Sequence, residues 1–399
     1  MPLSRRAFVH SLTSRGPSAA AIAARGREAW YAEHPFGEEP QAQAPSRRAD
    51  RSLAVRLSSN ENPLGPGRSA LEAIERAFAY AGRYPMNARP SMADFRGLIA
   101  KKNALKPENV ALGAGSGEIL ESAVRAFVTA ARGLVSAVPT FEAPARVAKR
   151  YKLGLTEVAV DSEGRLDLDK MIAASTGAGL VFVCNPNNPT GAVQGADAIG
   201  DLVARIAKAS PETVILLDEA YHEYVTDPSY STAVPLVPKY PNVIVSRTMS
   251  KAHGMAGLRL GYAVGQAEVL ARLGRWTMPY NGNALAVAAA VASVEDEAQI
   301  DRERRRNTEV LKLTTDFFRT AGFKTSDSQA NFVWIDIRRP AREFADACEK
   351  QGILVGRPFP PFEKTHARIS LGTREEMDRA LGVFRSVLGL TTTTAGGRV

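Results

Sequence analysis

The sequence predicts an α/β protein: a mostly parallel sheet sandwiched by helices, followed by a smaller α+β domain. Three observations lead there. Six short apolar runs are separated by helix-sized stretches, the pattern of strands buried on both faces of a parallel sheet. Helical stretches lengthen after Ala284, where only Asn331–Ile337 and Ala367–Ser370 read as strands. A chain of 399 residues, 45% hydrophobic and 23% charged, suits two packed domains that need neither disulfides nor metal to fold.

The first 50 residues stand apart as a leader and linker. Ser4-Arg5-Arg6-Ala7-Phe8-Val9 resembles a twin-arginine export signal, and an alanine-rich stretch (Ala19 to Ala24) and a polar segment follow it. The expected location is the periplasm, with the cytoplasm as the alternative. Residues 51–75 read as an arm joining the small domain, 76–285 as the large domain and 286–399 as the small one. Ala70–Tyr80 is predicted to be a helix with Leu71, Ile74, Ala77 and Phe78 on its apolar face. Val110–Leu112, Gly133–Val138, Leu180–Cys184, Val214–Leu217, Val243–Val245 and Gly261–Val264 are the predicted strands. Thr391–Thr394 is a polar tail.

Several function classes lose ground on composition. The formal charge is +9, and eight arginines face five acidic residues before residue 52. Elsewhere basic and acidic residues interleave, except at Arg304-Arg305-Arg306, which reads as a solvated helix face. Without basic stripes bearing interleaved aromatics, nucleic acid is a weak candidate partner, whereas a small anion suits the charge balance. Cys184 and Cys348 form no CxxC and no HExxH is present, so no metal is expected. No apolar run of about 18 residues suggests a membrane span.

Polar clusters follow the predicted strands. Asn185-Pro186-Asn187-Asn188-Pro189-Thr190-Gly191 makes a rigid turn at the carboxyl end of one strand, where ligands bind in open α/β sheets. Asp218-Glu219-Ala220-Tyr221 occupies the same place after the next strand, bringing an acid and a phenol to that crevice. Ser246-Arg247-Thr248-Met249-Ser250-Lys251 follows the third, where a desolvated lysine could form imines. Arg259 supplies a fork for phosphate oxygens, and Gly113-Ala114-Gly115-Ser116-Gly117-Glu118 presents backbone amides at a helix start. That run fits neither GxxxxGK[ST] nor GxGxxG, which argues against nucleotides.

These ordered motifs resemble the class I/II pyridoxal-phosphate-dependent aminotransferases of fold type I, closest to the histidinol-phosphate aminotransferase group. The likeness runs from Ser58-Ser59-Asn60-Glu61-Asn62-Pro63 to Arg368-Ile369-Ser370-Leu371-Gly372-Thr373. It implies pyridoxal 5′-phosphate as cofactor and transfer of an amino group from an amino acid to a 2-oxo acid. The donor could be aromatic or histidinol-phosphate-like. A lyase, racemase or oxidase using the same cofactor is the alternative.

Residue by residue, the resemblance makes Lys251 the aldimine-forming amine and general base. It sets Asp218 against the pyridine nitrogen, and Asn188 and Tyr221 on the ring oxygen. Phe141 takes the ring-stacking place, usually Tyr. Phosphate would be held by Gly115, Ser116 and Gly117, by Thr248 and Ser250, and by Arg259. Gly117 replaces an acidic residue common in that cup. Tyr84 matches a tyrosine that reaches the phosphate of a neighbouring subunit, which implies a homodimer with shared active sites. Arg368 would bind the substrate carboxylate, with Asn60, Leu64 and Arg357 also facing substrate. Leu64 stands where histidinol-phosphate enzymes often place an aromatic. The loop Gly356–Phe362 resembles a specificity segment, in which two Phe suit an apolar side chain and Arg357 a second anion.

Overall fold

The computed structural model describes residues 54–390. The twin-arginine motif and the Thr391–Thr394 tail lie outside the described residues. The strands are β1 (Val55–Leu57), β2 (Val110–Gly113), β3 (Leu134–Val138), β4 (Leu155–Ala159), β5 (Leu180–Cys184) and β6 (Val214–Asp218). They continue with β7 (Val243–Thr248), β8 (Gly261–Gly265), β9 (Lys324–Thr325), β10 (Phe332–Asp336), β11 (Ile353–Val355) and β12 (His366–Ser370). The helices are α1 (Arg68–Ala77), α2 (Met92–Lys102), α3 (Ser116–Phe127), α4 (Ala143–Arg150), α5 (Leu168–Ala174) and α6 (Ala196–Ala209). After them come α7 (Ala267–Gly274), α8 (Ala284–Glu295), α9 (Glu297–Thr320), α10 (Ala341–Glu349) and α11 (Arg374–Val387).

Seven strands form the central sheet in the order β2-β8-β7-β6-β5-β3-β4. Every residue of β5, β6 and β8 is buried, which explains their unbroken apolar or small-residue sequences. The sheet is parallel except for β8, which runs antiparallel to both β2 and β7. The residue that opens β8, Gly261, therefore stands beside Thr248 and Gly113, the residues that close its neighbours. Five parallel carboxyl ends, the end of β2 and the start of β8 share one edge.

A second core lies around β1, β10, β11 and β12 with α9, α10 and α11. Val55 and Leu57 belong to it, so the first described strand packs with the carboxyl-terminal part of the chain. Ala286, Val287, Ala289 and Ala290 of α8 enter the core of the central sheet, and Ala70 of α1 joins the same core. Both helices are alanine-rich on these faces and pack closely.

The α1 face is corrected. Ala70, Ala73 and Ala77 are buried, while Leu71 and Phe78 are largely exposed. The small residues permit close approach to α8, so large apolar side chains were a poor guide to the inward face.

Candidate active site

Each polar cluster predicted from sequence arrives at that one edge. Asp218 is the final residue of β6, Thr248 of β7, and Lys251 follows three residues later. The Asn185–Gly191 turn leaves β5, Thr140 and Phe141 follow β3, and Ser116 opens α3 just after β2.

Two of the three Asn amides hold the turn itself. Asn185 Nδ2 donates to the Gln194 carbonyl (3.1 Å), and its Oδ1 accepts from Gln194 N (2.8 Å). Asn187 Nδ2 donates to the Pro139 carbonyl (3.1 Å) and Thr190 Oγ1 (3.0 Å), and its Oδ1 accepts from Thr140 Oγ1 (2.6 Å). Asn188 alone reaches across, its Oδ1 accepting from Arg368 Nη1 (2.7 Å).

Arg368 comes from β12 of the second core, and its guanidinium is buried. Nη2 donates to the Ser58 carbonyl (2.6 Å), while Nε is buried with no hydrogen-bond partner among the described residues. Burial lowers its pKa to about 10, so it stays protonated at neutral pH. A buried guanidinium with an idle donor is a site for an acidic group.

Lys251 Nζ donates to the Ser59 carbonyl (3.2 Å) and lies 5.8 Å from the centre of the Tyr221 ring. Burial, reinforced by the charge of Arg368, lowers its pKa to about 8. The same burial raises Asp218 to about 6, although Ser246 Oγ donates to its Oδ1 (2.7 Å) and opposes the shift. Burial also raises the Tyr221 phenol, which remains a donor at any physiological pH.

Asn60, expected to meet substrate, is committed at both ends. Its Nδ2 donates to Tyr221 Oη (3.0 Å) and its Oδ1 accepts from Ser370 Oγ (2.7 Å). The first of these bonds fixes the phenol. Leu64 is exposed on 58% of its surface. Phe359, expected to offer an apolar wall, is buried beneath charge: Arg357 and Arg368 lie 4.1 and 4.8 Å from its ring centre. Phe362 packs edge-on against Trp334 and His366. Tyr84 is 68% exposed and rests on Tyr280, with ring centres 5.2 Å apart.

At the other end of the crevice, α3 begins under a glycine-lined cup. Gly115 has φ +79°, and a Cβ there would stand 2.3 Å from Arg259 Nη2. A Cβ on Gly261 would stand 2.4 Å from the Ser116 amide nitrogen. Both glycines therefore allow β8, Arg259 and the start of α3 to crowd together. Arg259 Nη1 donates to Ser250 Oγ (3.3 Å), and Ser250 N donates to Thr248 Oγ1 (3.1 Å). Unpaired amides at a helix start, two hydroxyls and a guanidinium make an anion cup of phosphate character.

Behind Asp218, Glu219 is buried and accepts from Arg247 Nη2 (2.8 Å), Arg247 Nε (3.0 Å) and Ala233 N (2.6 Å). This pair ties the ends of β6 and β7 together. Sequence reasoning missed Ser246 as the partner of Asp218. The signal was present, because parallel register places Asp218 directly beside Ser246.

Comparison with known proteins agrees with this geometry. The profile of the family "Aminotransferase class I and II" matches residues 54–384. A histidinol-phosphate aminotransferase of Bacillus subtilis is 34% identical over 84% of this chain and 91% of its own. The crystal structure of a putative histidinol-phosphate aminotransferase from Erwinia carotovora superposes with a TM-score of 0.80 at 31% identity, covering 84% and 96% of the two chains. A Sinorhizobium meliloti histidinol-phosphate aminotransferase, solved in complex with pyridoxal 5′-phosphate, gives 0.76 at 26% identity, covering 87% and 99%.

Proposed function

The chain belongs to the class I and II aminotransferases and is a pyridoxal-phosphate-dependent transaminase; we propose how its own side chains divide that work and which substrates they favour. When bound, the cofactor supplies an aldehyde that condenses with amines and a ring that accepts the electron pair left by the departing α-proton.

The residues present fit that group. The cup formed by the Ser116 and Gly117 amides, Thr248, Ser250 and Arg259 takes the phosphate, and the missing Cβ atoms at 115 and 261 leave it room. Asp218, fixed by the hydrogen bond from Ser246 Oγ (2.7 Å), would be the carboxylate that keeps the ring nitrogen protonated. With a pKa of about 6 the carboxylate is already ionised at pH 7, and a cationic partner favours that form further. Asn188 and Tyr221 would donate to the ring oxygen, with the Asn60 bond keeping the phenol oriented. Phe141 would cover one face of the ring. Lys251 would be the amine that holds the aldehyde and the base that moves the α-proton. Its lowered pKa keeps an appreciable fraction neutral near pH 7.

Arg368 receives the acidic group of the substrate, and its buried, unpartnered Nε carries this reading. Arg357, across the Phe359 ring, faces the distal end of the substrate. Two guanidiniums on one ring suit a histidinol-phosphate-like phosphate or an amino acid with a second acid group. The test is a panel of amino donors given without acceptor, scored by pyridoxamine phosphate formed. Donors bearing a carboxylate or phosphate are expected to react, and simple amines are not. Equal reaction of butylamine and the acidic donors would overturn the role of Arg368.

The working unit in this reading is a homodimer, with Tyr84 reaching the phosphate of the other subunit. Exposed Leu71 and Phe78, and exposed Tyr84 resting on exposed Tyr280, are apolar side chains that a subunit contact would cover. Export by the twin-arginine route is also proposed, on Arg5 and Arg6 alone. If a variant with both arginines changed to Lys fractionates like the parent, that proposal fails.

A further inference from the structure

Glu142 directly follows Phe141 and precedes the first turn of α4. Its Oε1 accepts from Arg357 Nη2, joining the end of β3 to the loop that follows β11. Its Oε2 is buried with no hydrogen-bond partner among the described residues. Arg357 completes its contacts with a hydrogen bond to the Pro358 carbonyl (3.0 Å) and the Phe359 ring face. Arg368 feels both charges of the pair, Arg357 lowering and Glu142 raising its pKa.

A carboxylate with one oxygen on a guanidinium and the other buried without a partner is held at this position by that guanidinium. The holder is a guanidinium that would otherwise stand uncompensated beside a second guanidinium. We propose that Glu142 is a specificity-determining residue: a built-in counter-anion that neutralises Arg357 when the substrate's distal end is uncharged, and that a second acidic group on the substrate must displace. This rests on the reading above that Arg357 faces the substrate.

The chemistry of transamination gives such a device a purpose. Donor and acceptor skeletons occupy one site in turn, and they need not carry the same charge. With Glu142 in place, an uncharged side chain leaves no cation unpaired. A dianionic substrate takes over Arg357, and the displaced carboxylate can turn toward water because the side chains of both partners are about 30% exposed. The cost of that displacement weakens dianionic ligands relative to monoanionic ones.

The test uses the cofactor-loaded enzyme and equilibrium binding by calorimetry, with glutarate as the dianionic probe and 3-phenylpropionate as the monoanionic one. Glu142→Gln is expected to tighten glutarate by about tenfold, the scale of one charge-assisted hydrogen bond regained, and to leave 3-phenylpropionate within about twofold. In Arg357→Met, glutarate should weaken and the added Glu142→Gln change should no longer matter. Unchanged glutarate affinity in Glu142→Gln, or a parallel change for both acids, overturns the role of Glu142. If Arg357→Met leaves glutarate binding unchanged while the cofactor's visible absorbance is retained, Arg357 does not face substrate. The underlying reading then fails as well, distinguishably from a failure of Glu142 alone.

Discussion

At the residue scale, Lys251 and Asp218 are two of the ionisable groups of the site, and each leads to a measurement. Lys251→Ala removes both the amine that holds the aldehyde and the base, so turnover should fall by several orders of magnitude. The cofactor's lysine-bound visible band should vanish, and its persistence would show that another amine holds the aldehyde. Asp218 concerns stability as well as catalysis. Its native pKa, about 6, lies above the usual 3.8, so between those values the folded state binds the proton more tightly than the unfolded chain. In cofactor-free protein this group's stabilisation is full below pH 3.8 and is lost as pH rises through 6, an effect of about 3 kcal/mol. Asp218→Asn has no such titration. Urea midpoints of the cofactor-free variant should therefore gain on those of the parent between pH 4 and pH 7. With cofactor the order reverses, because an amide cannot hold the ring proton, and turnover should fall. A constant midpoint difference across that range would mean that Asp218 is not desolvated as described.

At the scale of elements, the cup depends on how closely β8 approaches the start of α3. A methyl group at Gly261 would meet backbone atoms, Ser116 N at 2.4 Å and Gly115 C at 2.7 Å, which cannot yield by side-chain rotation. Gly261→Ala is expected to destabilise the protein by roughly 1–3 kcal/mol and to weaken cofactor retention in dialysis. Unaltered retention would place the phosphate elsewhere. The same strand shows where sequence reading stops. The apolar runs of β5, β6 and β7 were legible because burial on both faces leaves little room for polar residues. The terminal Asp218 and Thr248, and Asn188 in the turn after β5, were legible because polar clusters at strand ends stand out. The direction of β8 was not, since an apolar run looks the same either way round. β4 escaped notice because Leu155–Ala159 is an edge strand with a single buried residue, and its Thr and Glu resemble loop sequence. The roles of Asn60 and Phe359 depended on partners more than 150 residues away for Asn60–Tyr221 and on a ring shared by two arginines. No local pattern encodes such encounters.

At the scale of the molecule, the exposed apolar side chains provide the test of assembly. Phe78→Asp combined with Leu71→Asp should leave the fold intact, because both are surface residues, while shifting light-scattering mass to that of one chain. Loss of activity with that shift would tie catalysis to the dimer, whereas a fully active monomer would dismiss Tyr84 as a shared ligand. The sheet order also sets a timetable for synthesis. Among the described residues β2 has a single sheet neighbour, β8, which emerges about 150 residues later, or roughly 8–30 s at ordinary elongation rates. Throughout that interval the strand leading into α3 has no partner on the ribosome. Chains stalled before Gly261 should expose this region to protease and retain no pyridoxal phosphate, while chains stalled well past Gly265 should gain protection. Cofactor capture in this protein then comes late in translation, and the growing chain must be sheltered without it.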